Sequence, residues 1–122
     1  MSNKRRKDFA MEKAFAFICA PEDTSAHQLA KYCRKVIDLG YIPVCPRLEA
    51  AHYLDFENTD DGKLYQDMAR LRLRRCRMVV LCGQQMTNTM TTDLGMASQY
   101  HLICTTLDGL AKIKEAQHRY PC

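Results

Sequence analysis

Four short apolar runs, each followed by a stretch with helical periodicity, constrain this chain more than any other feature. The runs are AFAFICAP (14–21), YIPVCP (41–46), RMVVLCG (77–83) and HLICTT (101–106). Each has the length and β-branched or aromatic content of a buried strand. After the first, Leu29, Cys33, Val36 and Ile37 recur at helical spacing. After the second, Leu64, Met68, Leu71 and Arg75 trace a stripe on a long helix running to about Cys76. After the third, Met90, Leu94 and Ala97 do the same, and Asp108 to Gln117 reads as a terminal helix. Strand–helix alternation of this kind implies an α/β fold in three layers, a parallel sheet of four to five strands with helices on both faces.

Punctuation residues refine the pattern. Ser25 with Gln28 forms a capping box that opens the first helix. Gly40 suits the left-handed position just past its end. Pro43 cannot donate to a strand ladder, so the second strand belongs at a sheet edge. The segment from Arg47 to Asn58 reads as irregular, with a turn of helix around Glu49–Tyr53. Asp60 and Asp61 open the long helix, and Asn88 caps the one after the third strand. An edge position for strand 2 suggests the order 2-1-3-4. Ligands of such sheets bind beyond the carboxyl ends of the strands, where the order reverses. The reversal lies between strands 1 and 3, so the site loops are Ala20–Ser25 and Gly83–Asn88.

The 122 residues favour one domain over residues 13–122, preceded by a basic tail, residues 1–12, that reads as disordered. The seven cysteines are odd in number, spread out and without a CxxC pair. Cys19, Cys45, Cys82 and Cys104 fall within expected strands, where a reduced thiol acts as a small hydrophobe. Reduced thiols point to the cytoplasm. No clustered ligand set suggests a metal, and no cofactor is expected. No apolar run nears the roughly 20 residues of a membrane span. The net charge of +4 is local. It comes from NKRRK in the tail and from Arg70, Arg72, Arg74, Arg75 and Arg77 near one helix end. Such a cluster complements a helix dipole. Nucleic-acid binding is the less expected reading, because aromatic residues are not interleaved with the basic ones.

Two loops could carry chemistry. CAPEDTSAHQ presents a helix N-terminus and the Ser25 hydroxyl, but it also carries Glu22 and Asp23 and lacks the glycines of a phosphate-binding loop. GQQMTNTM is polar and uncharged, and Gly83 permits close backbone approach. Asp93 follows on the border of the inward stripe. There a carboxylate is partly desolvated, which raises its pKa and suits a base or nucleophile. The plain alternative is a solvated acid favoured by the helix dipole. His27, and the group His52, Tyr53 and Asp55, are further candidates.

Residues 14–106 resemble the nucleoside 2-deoxyribosyltransferase-like superfamily, closest to a small bacterial branch. FICAP is similar to that family's first strand and turn. AKYCRKVIDLGYIPVCPRL is similar to its helix followed by G-Y-x-P-x-x-P. LRRCRMVVLCG is similar to the helix end and third strand, and MTNTMTTDLGMA to its S-x-G-M-x-x-E-I-x-x-A helix start. The resemblance implies a flavodoxin-like (Rossmann-like) sheet and a nucleoside or nucleoside monophosphate as ligand. It implies cleavage or transfer of the N-glycosidic bond by a carboxylate nucleophile at the position of Asp93. Together with the two loops, it gives an expected ligand-facing set of Ala20, Pro21, Ser25, Arg47, Gly83, Gln84, Asn88 and Met90, and it implies a homo-oligomer. Ser25 and Asn88 would orient sugar or phosphate, and Arg47 would face a phosphate. The chain departs from the pattern in carrying Asp93 for glutamate, Arg77 for an acid, Arg47 for histidine and Thr89 for glycine. The alternative reading is a module that keeps the fold and binds a ligand, or takes part in assembly, without chemistry.

Overall fold

A computed structural model describes residues 13–119. The basic tail expected over residues 1–12 lies outside them. The sheet has four parallel strands: β1 (Phe15–Cys19), β2 (Ile42–Val44), β3 (Met78–Leu81) and β4 (Ile103–Thr106), in the order β2-β1-β3-β4. Five helices flank it: α1 (Ala26–Asp38), α2 (Pro46–Ala50), α3 (Thr59–Arg74), α4 (Asn88–Gln99) and α5 (Leu107–Arg119). This is the expected three-layer, flavodoxin-like α/β fold, and β2 with its Pro43 is an edge strand.

The side-chain alternation of β1 and β3 divides the interior in two. Ala16, Ile18, Met78 and Val80 face one layer, with Leu29 and Val36 of α1 and Leu107 and Leu110 of α5. Phe17, Cys19 and Val79 face the other, with Leu73 and Cys76 at the end of α3 and Met90 and Ala97 of α4. Both faces of the central strands are covered, which is why these strands read as continuous apolar runs.

Local signals explain most element ends. The Gln28 N–H donates to Ser25 Oγ at 3.1 Å, so Ser25 is the N-cap of α1. Gly40 takes φ +98° just past that helix. Other ends fall elsewhere than expected. Asn58, ahead of Asp60 and Asp61, caps α3 by accepting from the Asp61 N–H at 3.1 Å. The turn of helix in the irregular segment is α2, which starts earlier, with Pro46 at its first position. Thr87 rather than Asn88 caps α4, its Oγ1 accepting from the Met90 N–H at 3.3 Å. Cys45 and Cys82 sit one residue beyond their strands and are buried, whereas Cys104 lies within β4 and is exposed.

The largest difference concerns α3. The expected inward stripe Leu64, Met68, Leu71 and Arg75 does not face the sheet: Leu64 is 49% and Leu71 55% exposed. The inward residues are Tyr65, Ala69, Leu73 and Cys76, with Leu73 only 1% exposed. Both sets have helical spacing, so periodicity alone does not choose between them.

Candidate functional site

At the carboxyl end of β1, the space between α2, α3 and α4 closes into a cavity of about 360 Å³. Phe17, Ile18 and Ala20 form its sheet side. Cys45, Pro46 and Arg47 enter from the start of α2. Tyr65, Gln66, Ala69, Arg70 and Leu73 of α3 form one wall. Thr89, Thr92, Asp93 and Met96 of α4 form the wall opposite. Apolar side chains on the sheet side facing converging polar and charged groups from the helices suit a small polar molecule.

Asp93 is the acid in this cavity. Burial pushes its carboxyl up from 3.8 to about 6; a weak hydrogen bond from Cys19 opposes the rise and the charge of Glu22 adds to it. The Cys19 thiol lies 3.9 Å from Asp93 Oδ2 and 4.0 Å from the Met90 carbonyl oxygen, and its one proton serves one or the other. Burial, with the neighbouring Asp93 carboxylate, pushes the Cys19 thiol well above its ordinary value, so it stays protonated as a donor. Across the cavity, burial pushes the Tyr65 hydroxyl up to about 12, the Arg47 charge lowering it and Cys45 and Asp93 adding to it. Tyr65 is therefore a neutral hydroxyl facing a carboxylate that titrates near neutrality.

Arg47 acts on the chain itself. Its Nη2 donates to the Pro21 carbonyl at 3.0 Å and the Thr24 carbonyl at 2.8 Å. The guanidinium thereby latches the loop after β1 to the start of α2 while lining the cavity. Arg47→Ala is expected to cost about 1–2 kcal/mol through two lost charge-assisted bonds. Hydrogen exchange should accelerate at the loop amides of residues 22–25; unchanged exchange and an unchanged unfolding midpoint would count against the latch. Glu22, in the same loop, accepts a short hydrogen bond from Thr87 Oγ1. That bond, with another from Thr89, holds its carboxyl below the usual range. The two site loops expected from topology are thus tied together.

The expected ligand-facing residues separate. Ala20, Arg47 and Asp93 line the cavity. Pro21, Ser25, Gly83 and Gln84 line a second, open hollow of about 520 Å³ on the α1 side of the same loops. Gly83 has φ +90°, and a Cβ there would lie 3.3 Å from Pro21 Cδ, so a side chain would press the two loops apart. Met90 is 1% exposed and closed off in the core, so it does not reach the cavity. Asn88 is the exposed first residue of α4 and lines neither space. His27, His52, Tyr53 and Asp55 are exposed and line neither space.

The α3 wall was not legible in the sequence. Its signal, Tyr65, Ala69, Leu73 and Cys76 at helical spacing, competed with the more apolar Leu64–Leu71 stripe. The arginine cluster is dispersed over several tasks. Arg70 lines the cavity, Arg72 Nη2 pairs with Glu49 Oε2 at 2.8 Å, and the Arg74 guanidinium lies 5.7 Å from the Tyr100 ring centroid. Among the described residues no cluster of three metal-ligating side chains occurs, and no helix is long and apolar enough to cross a membrane.

Fold and cavity together define a flavodoxin-like α/β domain with a carboxylate-bearing pocket at the β1 end. The chain belongs to the DUF7768 family, described as a domain of unknown function, whose profile matches residues 14–106. Among solved structures it is similar to the 2-deoxyribosyltransferase of the psychrotolerant bacterium Bacillus psychrosaccharolyticus. That likeness has a TM-score of 0.65 at 13% identity, over 76% of this chain and 71% of the other. At that identity it shows a shared fold. No curated protein matches the sequence.

Proposed function

We propose that the cavity binds a nucleoside or nucleoside 5′-monophosphate, and that Asp93 attacks its anomeric carbon. The observation that carries this reading is the Asp93 carboxylate, half-buried in a cavity that it shares with Arg47, Tyr65 and Arg70, and titrating near pH 6. Such a group is ionised at neutral pH yet poorly solvated, which favours nucleophilic attack. The fold shared with a 2-deoxyribosyltransferase supports the choice of substrate class. In the step, an Asp93 oxygen bonds to C1′ as the C1′–N bond breaks. The base leaves with the bonding electrons and takes a proton from water. Water then cleaves the glycosyl ester, or a second base does so to give a transfer product.

Incubation with deoxynucleosides and their 5′-monophosphates tests this by chromatography of the released base. Base release that is lost in Asp93→Ala supports the enzyme. A second reading is a binding module without chemistry. It is favoured by Arg47, which is engaged by the Pro21 and Thr24 carbonyls, and by the short reach of an aspartate. That reading expects ligand-dependent thermal stabilisation with no base release. Absence of both responses would sink both readings. We place the protein in a reducing, cytoplasmic setting; the six cysteines among the described residues are free thiols, in keeping with this.

A further inference from the structure

The outer face of α3 carries a pattern that matches itself when reversed. Asp60, Leu64, Leu71 and Arg75 follow one another at steps of four, seven and four residues. On a helix of 3.6 residues per turn these four lie along one narrow stripe. The stripe points away from the sheet, with Leu64 49% and Leu71 55% exposed. Asp60 and Arg75 are exposed, and neither has an ion-pair partner among the described residues. The spacing is symmetric about the middle of the helix, and the charge is opposite at its two ends.

We propose that this stripe is a self-association seam on which a second copy of the chain docks α3 antiparallel to α3 about a two-fold axis. In the register that sets Leu64 of one copy against Leu71 of the other, Asp60 meets Arg75 at both ends. Two leucine contacts and two opposite-charge contacts form from one patch, as an isologous interface requires. The parallel arrangement sets Asp60 against Asp60 and Arg75 against Arg75, so charge selects the antiparallel one. A seam about 22 Å long and about 10 Å wide covers roughly 220 Å², well below the roughly 800 Å² per partner of a stable complex. The dimer is therefore weak and reversible.

The register also brings Asp67 of each copy next to the other at the two-fold axis. These like charges oppose association, so Asp67→Asn should tighten it. Gln66 and Arg70, which line the cavity, lie on a different flank of α3 from the seam. Association and base release are accordingly separable, and the seam does not rest on the reading of the cavity.

Sedimentation of the full chain over a concentration series tests the seam. The 14.1 kDa chain should move towards twice that mass as concentration rises. Leu64→Glu and Leu71→Glu should stay monomeric with unchanged circular dichroism. Asp60→Arg and Arg75→Asp should each weaken the dimer about tenfold. The double reversal should restore it, and Asp67→Asn should strengthen it. A wild-type chain that stays monomeric up to about 0.5 mM, a range that captures even weak contacts, overturns the proposal. So does a dimer indifferent to Leu71→Glu, a double reversal that fails to restore association, or a monomer whose stripe instead holds a polyanion such as heparin.

Discussion

Asp93→Ala is expected to lower base release by about 10⁴-fold or more, the usual consequence of removing a covalent nucleophile. The wild-type rate should rise about tenfold per pH unit below the Asp93 pKa of about 6 and level off above it. A rate that is flat between pH 4 and 8 would place the nucleophile elsewhere. The same carboxylate should also weaken the fold. Its pKa is raised by burial, from 3.8 to about 6. Between those values the folded chain holds the proton more tightly than the unfolded one, so stability falls as pH rises through the window. Above it the charge penalty is complete. Asp93→Asn removes that penalty and is expected to stabilise the protein at pH 8 by about 1–2 kcal/mol, after allowing for the remaining solvent contact of the side chain. The gain should disappear near pH 4. A variant that is less active yet more stable, only at the higher pH, separates a functional carboxylate from an ordinary helix acid. Equal stability of Asp93→Asn and wild type at pH 8 would return Asp93 to the solvated-acid reading.

Leu73→Ala is the second large effect. Leu73 is 1% exposed and packs with Phe17, Val79 and Met90 at the base of the cavity wall formed by α3. Truncation removes its buried methyl groups and leaves space that the strands and α4 fill only in part. The expected cost is about 2–4 kcal/mol, a large share of a small domain's stability. It should appear as a lower urea midpoint with an unchanged slope. Two residues earlier, Leu71→Ala should change stability by less than about 0.5 kcal/mol in dilute solution, where the chain is monomeric. At higher concentration Leu71→Ala should lose the extra stability that association confers. Equal costs for the two leucines under dilute conditions would mean that α3 is rotated relative to its assigned face.

These two leucines also mark the boundary of what could be read without the fold. α3 carries two stripes at helical spacing, and the sequence favours the wrong one, because Leu64, Met68 and Leu71 are more apolar than Tyr65 and Ala69. A helix wall of a ligand cavity is less apolar than a core face, so hydropathy underrates it. A self-association stripe is more apolar than a solvent face, so hydropathy overrates it. Only contact with the sheet decides. The same limit applies to Asn88 and Thr87, neighbouring residues that both make good N-caps. The choice between them depends on where the chain leaves β3.

Several features needed no tertiary information. The βα alternation, the edge position forced by Pro43, the Ser25 cap and the left-handed Gly40 rest on local backbone chemistry. They suggested the strand order, and with it the two loops at the reversal, and the sheet has that order. Asp93 at the border of an inward stripe left open a desolvated carboxylate or a solvated helix acid, and its place at the cavity wall with a raised pKa favours the first. What tertiary structure alone decided was the company that carboxylate keeps. Tyr65, Gln66 and Arg70 come from a helix whose rotation is set by packing against Phe17, Val79 and Met90. Arg47, which the resemblance sets facing a phosphate, lines the cavity and also latches the loop after β1, because two loop carbonyls lie within its reach. Local propensity sets which segments are helix or strand. Which face of each segment meets its neighbours is settled by summed burial over the whole chain, a property that no single segment carries.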